Sequence, residues 1–299
     1  MTARISVVVP TYNRLHELRV VLPSLLAQDL RSDEFEVLIC DSNSTDGTRE
    51  YLAETALTHP NVRHIAGPYS GRAEARNAGI AAALGGVVMF NDSDIVASPD
   101  LLSRHLAHHA APGERAVVGM EVQCASFEDV ERKRADAALR TPMHGEKPKR
   151  LSWLYFLTGN ASVTRSALDR VGRFDEDFTG YGHEDLEIGF RLERAGLTIT
   201  YEPRAVSYHW QHVPWDEQQQ KYELAGRSTV RFFRKHPVWD VRLRLGMTPV
   251  SLAMHSLIAK TPALRNWIER GAATPGFAQT LSYQYHYLSG VKAALRGND

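Results

Sequence analysis

The chain has 299 residues, enough for one large domain or two closely packed ones, and its 43% hydrophobic content is that of a globular protein with a real core. Its 35 Lys and Arg match its 35 Asp and Glu, so no global field draws it to nucleic acid, and only a local basic groove is left open. Its two cysteines, Cys40 and Cys124, make neither a disulfide framework nor a thiolate metal site, and a reducing, cytoplasmic setting is the plain inference.

The first ~110 residues alternate strand and helix signals, the mark of a mostly parallel α/β sheet with crossover helices. Ile5 to Val9 is a β-branched run suited to a strand covered on both faces. It is too short and too strand-like for the apolar segment of a signal peptide. Leu15, Leu18, Leu22, Leu25 and Leu26 recur at helical spacing, with Pro23 expected to bend the helix. A second strand covers Glu36 to Cys40, and Asp46 is read as the N-cap of the helix carrying Tyr51 and Leu52. Val62 to Ile65 is a short strand, Arg72 to Leu84 an Ala-rich helix, and Val87 to Phe90 a buried strand ending in Asn91-Asp92-Ser93-Asp94.

After Val118 the pattern changes. A charged helix is expected from Phe127 to Ala138, then a polar loop from Thr141 to Arg150 that lacks apolar periodicity and is the candidate mobile segment. Leu151 to His212 is rich in Gly, aromatics and acids, and the remainder reads as helices broken by Pro and Gly. The longest near-apolar window, Gly79 to Phe90, is too short to span a bilayer.

Three features carry chemistry. Asp92 and Asp94 sit past a strand end, where open α/β sheets bind ligands. Two such carboxylates can hold a hard divalent cation whose shell a diphosphate completes; the bland alternative is a turn whose acids cap the helix starting near Pro99. Gly180-Tyr181-Gly182-His183-Glu184-Asp185-Leu186-Glu187 sets glycines before a cluster of acids. Acids in a first helical turn are favoured by the dipole alone, which is the reading for Glu187. Asp185 could instead remove a proton from an attacking hydroxyl if the glycines open a pocket beside it. His209 ends a strand-like run, with His212 as the competing ligand. Trp153, Tyr155 and Trp210 are candidates for stacking on sugars or for ordinary core packing.

Four segments in order resemble the signatures of family 2 glycosyltransferases with the GT-A fold. They are Val7 to Arg14, Cys40 to Thr48, Gly71 to Gly79 followed by Phe90 to Asp94, and Thr158 to Asn160 continuing through Gly172 to Glu176 and into Gly182 to Asp185. The last segment also resembles the C-terminal half of β-galactosyltransferases. The resemblance implies a Rossmann-like, mostly parallel sheet with flanking helices and a helical C-terminal extension. It divides the chain into a nucleotide-sugar-binding half at 1–118, an acceptor-binding and catalytic half at 119–212, and the extension at 213–299.

It also implies roles. Pro10, Thr11 and Tyr12 form a shelf under the nucleotide base, and Asp41 accepts from the base edge, a pairing that suits uracil. Ser42 stands where the pattern commonly has a second acid. Arg76 and Arg72 face the diphosphate, while Arg14, Asn77, Asp92, Ser93, Gly159 and Asn160 complete the nucleotide-sugar set. Asp94, His209 and Asp92 hold Mn²⁺ or Mg²⁺, Asp185 is the general base, and Glu184 helps hold the acceptor. The implied reaction is an inverting transfer from a nucleotide-sugar, UDP-sugar favoured, to a glycan or lipid-linked acceptor in polysaccharide biosynthesis. The alternatives are a nucleotide-sugar-binding protein without transferase activity and a nucleotidyltransferase. The latter is disfavoured because Pro10-Thr11-Tyr12-Asn13 stands where a Gly-rich basic loop is expected; no G-x-G-x-x-G supports a dehydrogenase. The stretch Arg227 to Arg244, with Phe232, Phe233, Trp239 and Leu243 interleaved, suits either peripheral contact with the inner face of the membrane or a packed helix with a solvated basic face.

Overall fold

Strands rich in apolar residues are buried on both faces, and three of them, Ile5–Thr11, Phe35–Asp41 and Val87–Asn91, set the frame of the sheet. The computed structural model describes residues 3–210, 214–271 and 276–297. β1 (Ile5–Thr11), α1 (Leu15–Leu26), β2 (Phe35–Asp41), α2 (Thr48–Thr58), β3 (Val62–Ala66), α3 (Arg72–Ala82) and β4 (Val87–Asn91) alternate as expected. Then come β5 (Ile95–Ala97), α4 (Leu101–His109), β6 (Ala116–Cys124), α5 (Phe127–Ala135), β7 (Lys149–Leu151), β8 (Asn160–Thr164), α6 (Arg165–Val171), α7 (Glu184–Arg194) and β9 (Ile199–Trp210). α8 (Trp215–Lys235), α9 (Trp239–Arg244), α10 (Pro249–Lys260), α11 (Pro262–Gly271) and α12 (Phe277–Leu295) end the described chain.

One sheet runs β3-β2-β1-β4-β8-β6-β9-β5, with β7 on β9. β3, β2, β1 and β4 are mutually parallel, whereas β8 is antiparallel to β4 and β6. The order reverses at β1, from which the chain first moves to β2 and later to β4 on the other side. A crevice opens at the carboxyl ends of strands where such a reversal occurs, and Thr11, Asp41 and Asn91 are the last residues of those three strands.

The chain forms two compact units: Met1–Thr179 with Glu184–His212, and Gly180–His183 with Val213–Asp299. Residue 118 lies inside β6, so the two expected halves share the first unit and its continuous sheet. In the second unit α8 and α12 pack backbone to backbone. A Cβ on Gly226 would lie 2.0 Å from the Tyr287 carbonyl oxygen, and one on Gly290 1.9 Å from that of Glu223. Val230, Met247, Leu288, Val291 and Ala294 make that unit's core.

The structure departs from the local expectations at several points, among them the charged helix α5, which ends at Ala135 and not at Ala138. Gly47, in the left-handed region at φ 95°, is the N-cap residue of α2, not Asp46. The Asp46 carboxylate still accepts from the Thr48 and Leu15 amides, so it serves the starts of α2 and α1 together. The polar loop expected to run to Arg150 gives way to β7 at Lys149, because that edge pairs with β9. Asp92 and Asp94 do not cap α4, whose N-cap residue is Asp100.

The glycine at the end of the Arg76-Asn77-Ala78-Gly79 run has a packing reason. α3 lies so close to the sheet that a Cβ there would sit 2.4 Å from Val8 Cγ1 and 2.9 Å from Cys40 Sγ. Overpacking of this kind costs about 1–3 kcal/mol, so Gly79→Val is expected to lower the unfolding free energy by that amount in urea titrations, with both β1 and β2 displaced.

Candidate active site

The turn after β4 is built by a buried amide. Asn91 Nδ2 donates to the carbonyl oxygens of Asp92 (2.8 Å) and Ile95 (2.9 Å), and the Ile95 amide closes back on the Asp92 carbonyl. Asp92, Ser93 and Asp94 are thereby held at the crevice edge. Asp94 reaches toward β9, where its Oδ1 lies 3.6 Å from His209 Nε2. Strand pairing sets this approach, since Ile95 is opposite His209.

On its other side His209 Nδ1 lies 3.0 Å from Glu121 Oε1, and Gln123 Nε2 donates to the same oxygen. Burial would depress the imidazole, but the carboxylates of Asp94 and Glu121 outweigh it and push His209 up to about 10. Sequence reasoning missed Glu121. The signal was Gly159, whose Cβ would collide with Glu121 Oε2 at 2.4 Å, so the glycine is there to admit the carboxylate.

Arg76 is the second centre. Its side chain is 1% exposed, with Nη2 2.9 Å from Asp92 Oδ1 and Nη1 3.0 Å from Glu184 Oε1. It stands between two carboxylates, one from the β4 turn and one from the start of α7. Arg72, at the first turn of α3, is exposed, and its charge acts with that of Arg76 on Asp92. Burial alone would raise the Asp92 carboxyl; the two arginines hold it below the usual carboxylate range.

Glu184 and Asp185 open α7 with different surroundings. Glu184 is buried against Arg76, and its second oxygen has no hydrogen-bond partner among the described residues. Asp185 is partly exposed and accepts from the Leu186 amide. Burial first, and the Glu184 charge second, push its carboxyl up to about 7. His183, just before the pair, adopts a left-handed φ of 75°, a strained conformation for a residue with a side chain. Glu187 is structural, chelated by Arg191 at 2.6–3.0 Å.

At the carboxyl end of β1, Pro10 and Thr11 are buried within the strand, and Tyr12 is exposed beyond it. Asp41 accepts from the Ser44 amide (3.1 Å) and hydroxyl (2.5 Å), and His64 Nε2 is 3.4 Å from its other oxygen. Arg14 is exposed and pairs with Glu17 at 2.7 Å.

Two residues of the expected nucleotide-sugar set, Asn160 and Asn77, hydrogen-bond to the surrounding scaffold. Asn160 Nδ2 meets acceptors on Met120, Ala205 and Ser207, and its Oδ1 faces His105 Nε2 at 2.8 Å, so its polar atoms are spent inside the sheet. Asn77 clamps the main chain of Phe174 through both Nδ2 and Oδ1 and donates to Glu176. Of the aromatic candidates, Trp153 is buried and Trp210 packs on His16 and Phe127, whereas Tyr155 keeps 40% of its surface exposed. His212 lies outside the described residues. Cys40 is a buried thiol pushed up to about 12 by desolvation, as a core residue should be.

Among the described residues no three His, Cys, Asp or Glu side chains form a ready metal cage. Asp94 and His209 approach as a pair, and Asp92 is turned to Arg76. A two-ligand, oxygen-and-imidazole half-site fits a cation that takes its remaining ligands from phosphate and water.

Residues 6–172 match the family described as Glycosyl transferase family 2. The chain belongs to that family. Residues 144–213 also match a domain described as "N-terminal domain of galactosyltransferase", which covers the acid pair and His209. Among curated relatives, the validoxylamine A glucosyltransferase of Streptomyces hygroscopicus subsp. jinggangensis (strain 5008) is 32% identical over 260 residues, covering 78% of this chain and 61% of that protein. The chondroitin synthase of Escherichia coli is 26% identical over 263 residues, covering 77% and 38%. The chain thus spans less than two thirds of the length of such relatives.

Among solved structures, the mannosyltransferase PcManGT from Pyrobaculum calidifontis, in complex with GDP-Man and Mn²⁺, has a TM-score of 0.66 at 20% identity and covers 100% of this chain and 89% of its own. TarS of S. aureus has a TM-score of 0.57 at 18% identity, covering 97% and 55%. These likenesses show the fold, the GT-A fold of glycosyltransferases. The family 2 domain therefore comprises the parallel sheet and the β4 turn, with the acids of α7 on the following segment.

Removing a buried ion's only partner is costly, about 3–5 kcal/mol. Arg76→Met, leaving Asp92 and Glu184 facing each other, is expected to destabilise the protein by that amount near pH 7. Asp92 is held low in the folded state, so its contribution is present above its unfolded pKa and fades as pH falls. The difference between wild type and variant should therefore shrink in acid, as read by denaturant titrations at several pH values.

Proposed function

We propose that the protein transfers a sugar, with inversion, from a nucleotide-sugar, UDP-sugar favoured, to a hydroxyl of a glycan or lipid-linked acceptor, with Asp185 as the base. The observation that carries this reading is the contrast at the start of α7. Glu184 is tied to Arg76, while its neighbour Asp185 is partly exposed with a carboxyl pushed up to about 7. A base poised near the working pH is what proton removal from a sugar hydroxyl needs. Family membership and the likeness to PcManGT and TarS, one solved with GDP-Man and Mn²⁺ and the other with UDP-GlcNAc, support a nucleoside diphosphate leaving group.

Each side chain then has a task. Thr11 and Tyr12 carry the base at the end of β1, with Asp41 turned to its edge. The exposed Arg72 meets the diphosphate, and Arg76 holds Asp92 and Glu184 in place for it. Asp94 and His209 would hold Mn²⁺ or Mg²⁺, which when bound neutralises charge developing on the leaving diphosphate. Glu121 orients the His209 ring through Nδ1, leaving Nε2 for the cation, the arrangement of a carboxylate–histidine pair behind a metal. Asp185 accepts the acceptor hydroxyl's proton as that oxygen attacks the anomeric carbon from the face opposite the diphosphate. The unpartnered oxygen of Glu184 is an acceptor that a second hydroxyl of the same sugar could satisfy.

Loss of a general base costs about 10²–10⁴-fold. Asp185→Asn is expected to lower sugar transfer by that factor, scored as nucleoside diphosphate release across a nucleotide-sugar panel with and without Mn²⁺. In the wild type, kcat/KM should climb as pH rises through about 7 and then level, as Asp185 ionises; near-normal transfer by the Asn variant would remove Asp185 from the role. A raised carboxyl binds its proton more tightly folded than unfolded, so stability falls as pH rises through that interval. The same variant should therefore melt higher than wild type near pH 8.

Glu121→Ala should weaken Mn²⁺ binding in the presence of UDP by about 10–100-fold, read by Mn²⁺ electron paramagnetic resonance. Unchanged affinity would leave Glu121 with no part in orienting the ligand.

A further inference from the structure

Helices packed on a core turn their apolar stripe inward. α10 does so only in part: Leu252 packs against the Val230–Val291 core and Ile258 is half-buried, but a second apolar stripe faces outward. Its buried residue is a histidine, His255, whose Nε2 meets Ser289 Oγ at 2.9 Å and whose ring stacks on Tyr285. Outward stand Val250, Ala253, Met254 and Leu257, at i, i+3, i+4 and i+7, with Val250 69%, Met254 58% and Leu257 66% exposed. No charged residue interrupts the helix before Lys260. α11, which packs beside it, adds exposed Leu264 and Trp267.

The charges around this face have one predominant sign. From Pro249 to Gly271 there are Lys260, Arg265 and Arg270 against Glu269 alone, an excess of two cations in a chain whose totals are balanced at 35 and 35. Glu269 lies 3.6 Å from Arg265. The basic stretch singled out from sequence, Arg227 to Arg244, is a poorer candidate. Phe232 there is buried, and Phe233 packs against the Val230–Val291 core.

We propose that the outward faces of α10 and α11 dock on a lipid bilayer surface that carries anionic headgroups. Aliphatic side chains and a tryptophan enter the headgroup boundary, while Lys260, Arg265 and Arg270 remain at the phosphate level. Contact is peripheral, since no helix among the described residues is long and apolar enough to cross a membrane. A second copy of the chain fits less well, because a twofold contact of this face on itself sets like charges together.

The test is co-sedimentation of the full chain, at low salt, with phosphatidylcholine vesicles with and without phosphatidylglycerol. Binding only to the anionic vesicles, abolished by salt, is expected. Each basic side chain near such a surface is worth about fivefold in partition, so Arg265→Glu with Arg270→Glu should lower binding by at least about tenfold. Val250→Ser with Met254→Ser and Leu257→Ser should do likewise, since removing buried apolar groups forfeits the insertion energy. All three positions face solvent, and unchanged circular dichroism and unchanged nucleoside diphosphate release check that both variants are folded. No sedimentation with anionic vesicles at low salt would overturn the proposal, as would sedimentation that both variants retain. So would a dimer, seen by sedimentation velocity, that the serine variant dissolves while vesicle binding is absent.

Discussion

A guanidinium taken wholly out of water must be matched by carboxylates on more than one side, and Arg76 meets that demand by joining two distant segments. Asp92 comes from the turn after β4, and Glu184 comes from the start of α7, 108 residues beyond Arg76 in sequence. The Coulomb attraction is strong because water is excluded, and the same exclusion makes any unmatched charge expensive. With the cation committed to Asp92 and Glu184, the third acid, Asp185, is left next to a negative neighbour. Burial raises its carboxyl first and the Glu184 charge second, and Arg76 offsets only part of that.

A second constraint acts from the sheet. β1, β2 and β4 end together at the order reversal, and this places Thr11, the carboxylate of Asp41 and the Asn91-to-Asp94 turn along one edge. The close seat of α3 allowed by Gly79 carries Arg76 into the interior beside that edge. Across the sheet, β9 pairs with both β5 and β6, so His209 stands between Asp94 and Glu121. Small residues set these approaches: Gly79 admits the helix and Gly159 admits Glu121.

Much of this was legible in the sequence because its physical causes are local. Alternation of apolar runs with helical periodicity reveals parallel strands and crossover helices wherever the strands are covered on both faces, as Ile5 to Val9 and Val87 to Phe90 are. Strand-end acids, the Gly180-to-Asp185 run and His209 could be singled out as chemistry without coordinates, since their residue types and positions relative to strands and helices are local properties. Glu187 likewise read as a structural acid, and it is one.

Long-range pairing is what local patterns do not contain. Which carboxylates Arg76 neutralises, that Asn160 spends its amide on β6, β9 and His105 of α4, and that Glu121 joins Asp94 at His209 all depend on segments brought together from far along the chain. The same holds for α10, where helical periodicity displays an apolar stripe but not which way it faces. Sequence determined the fold class and the family, because periodicity and motif spacing are properties of neighbouring residues. The tertiary structure alone decided which charges meet, because that depends on burial and on partners brought together across more than a hundred residues of chain.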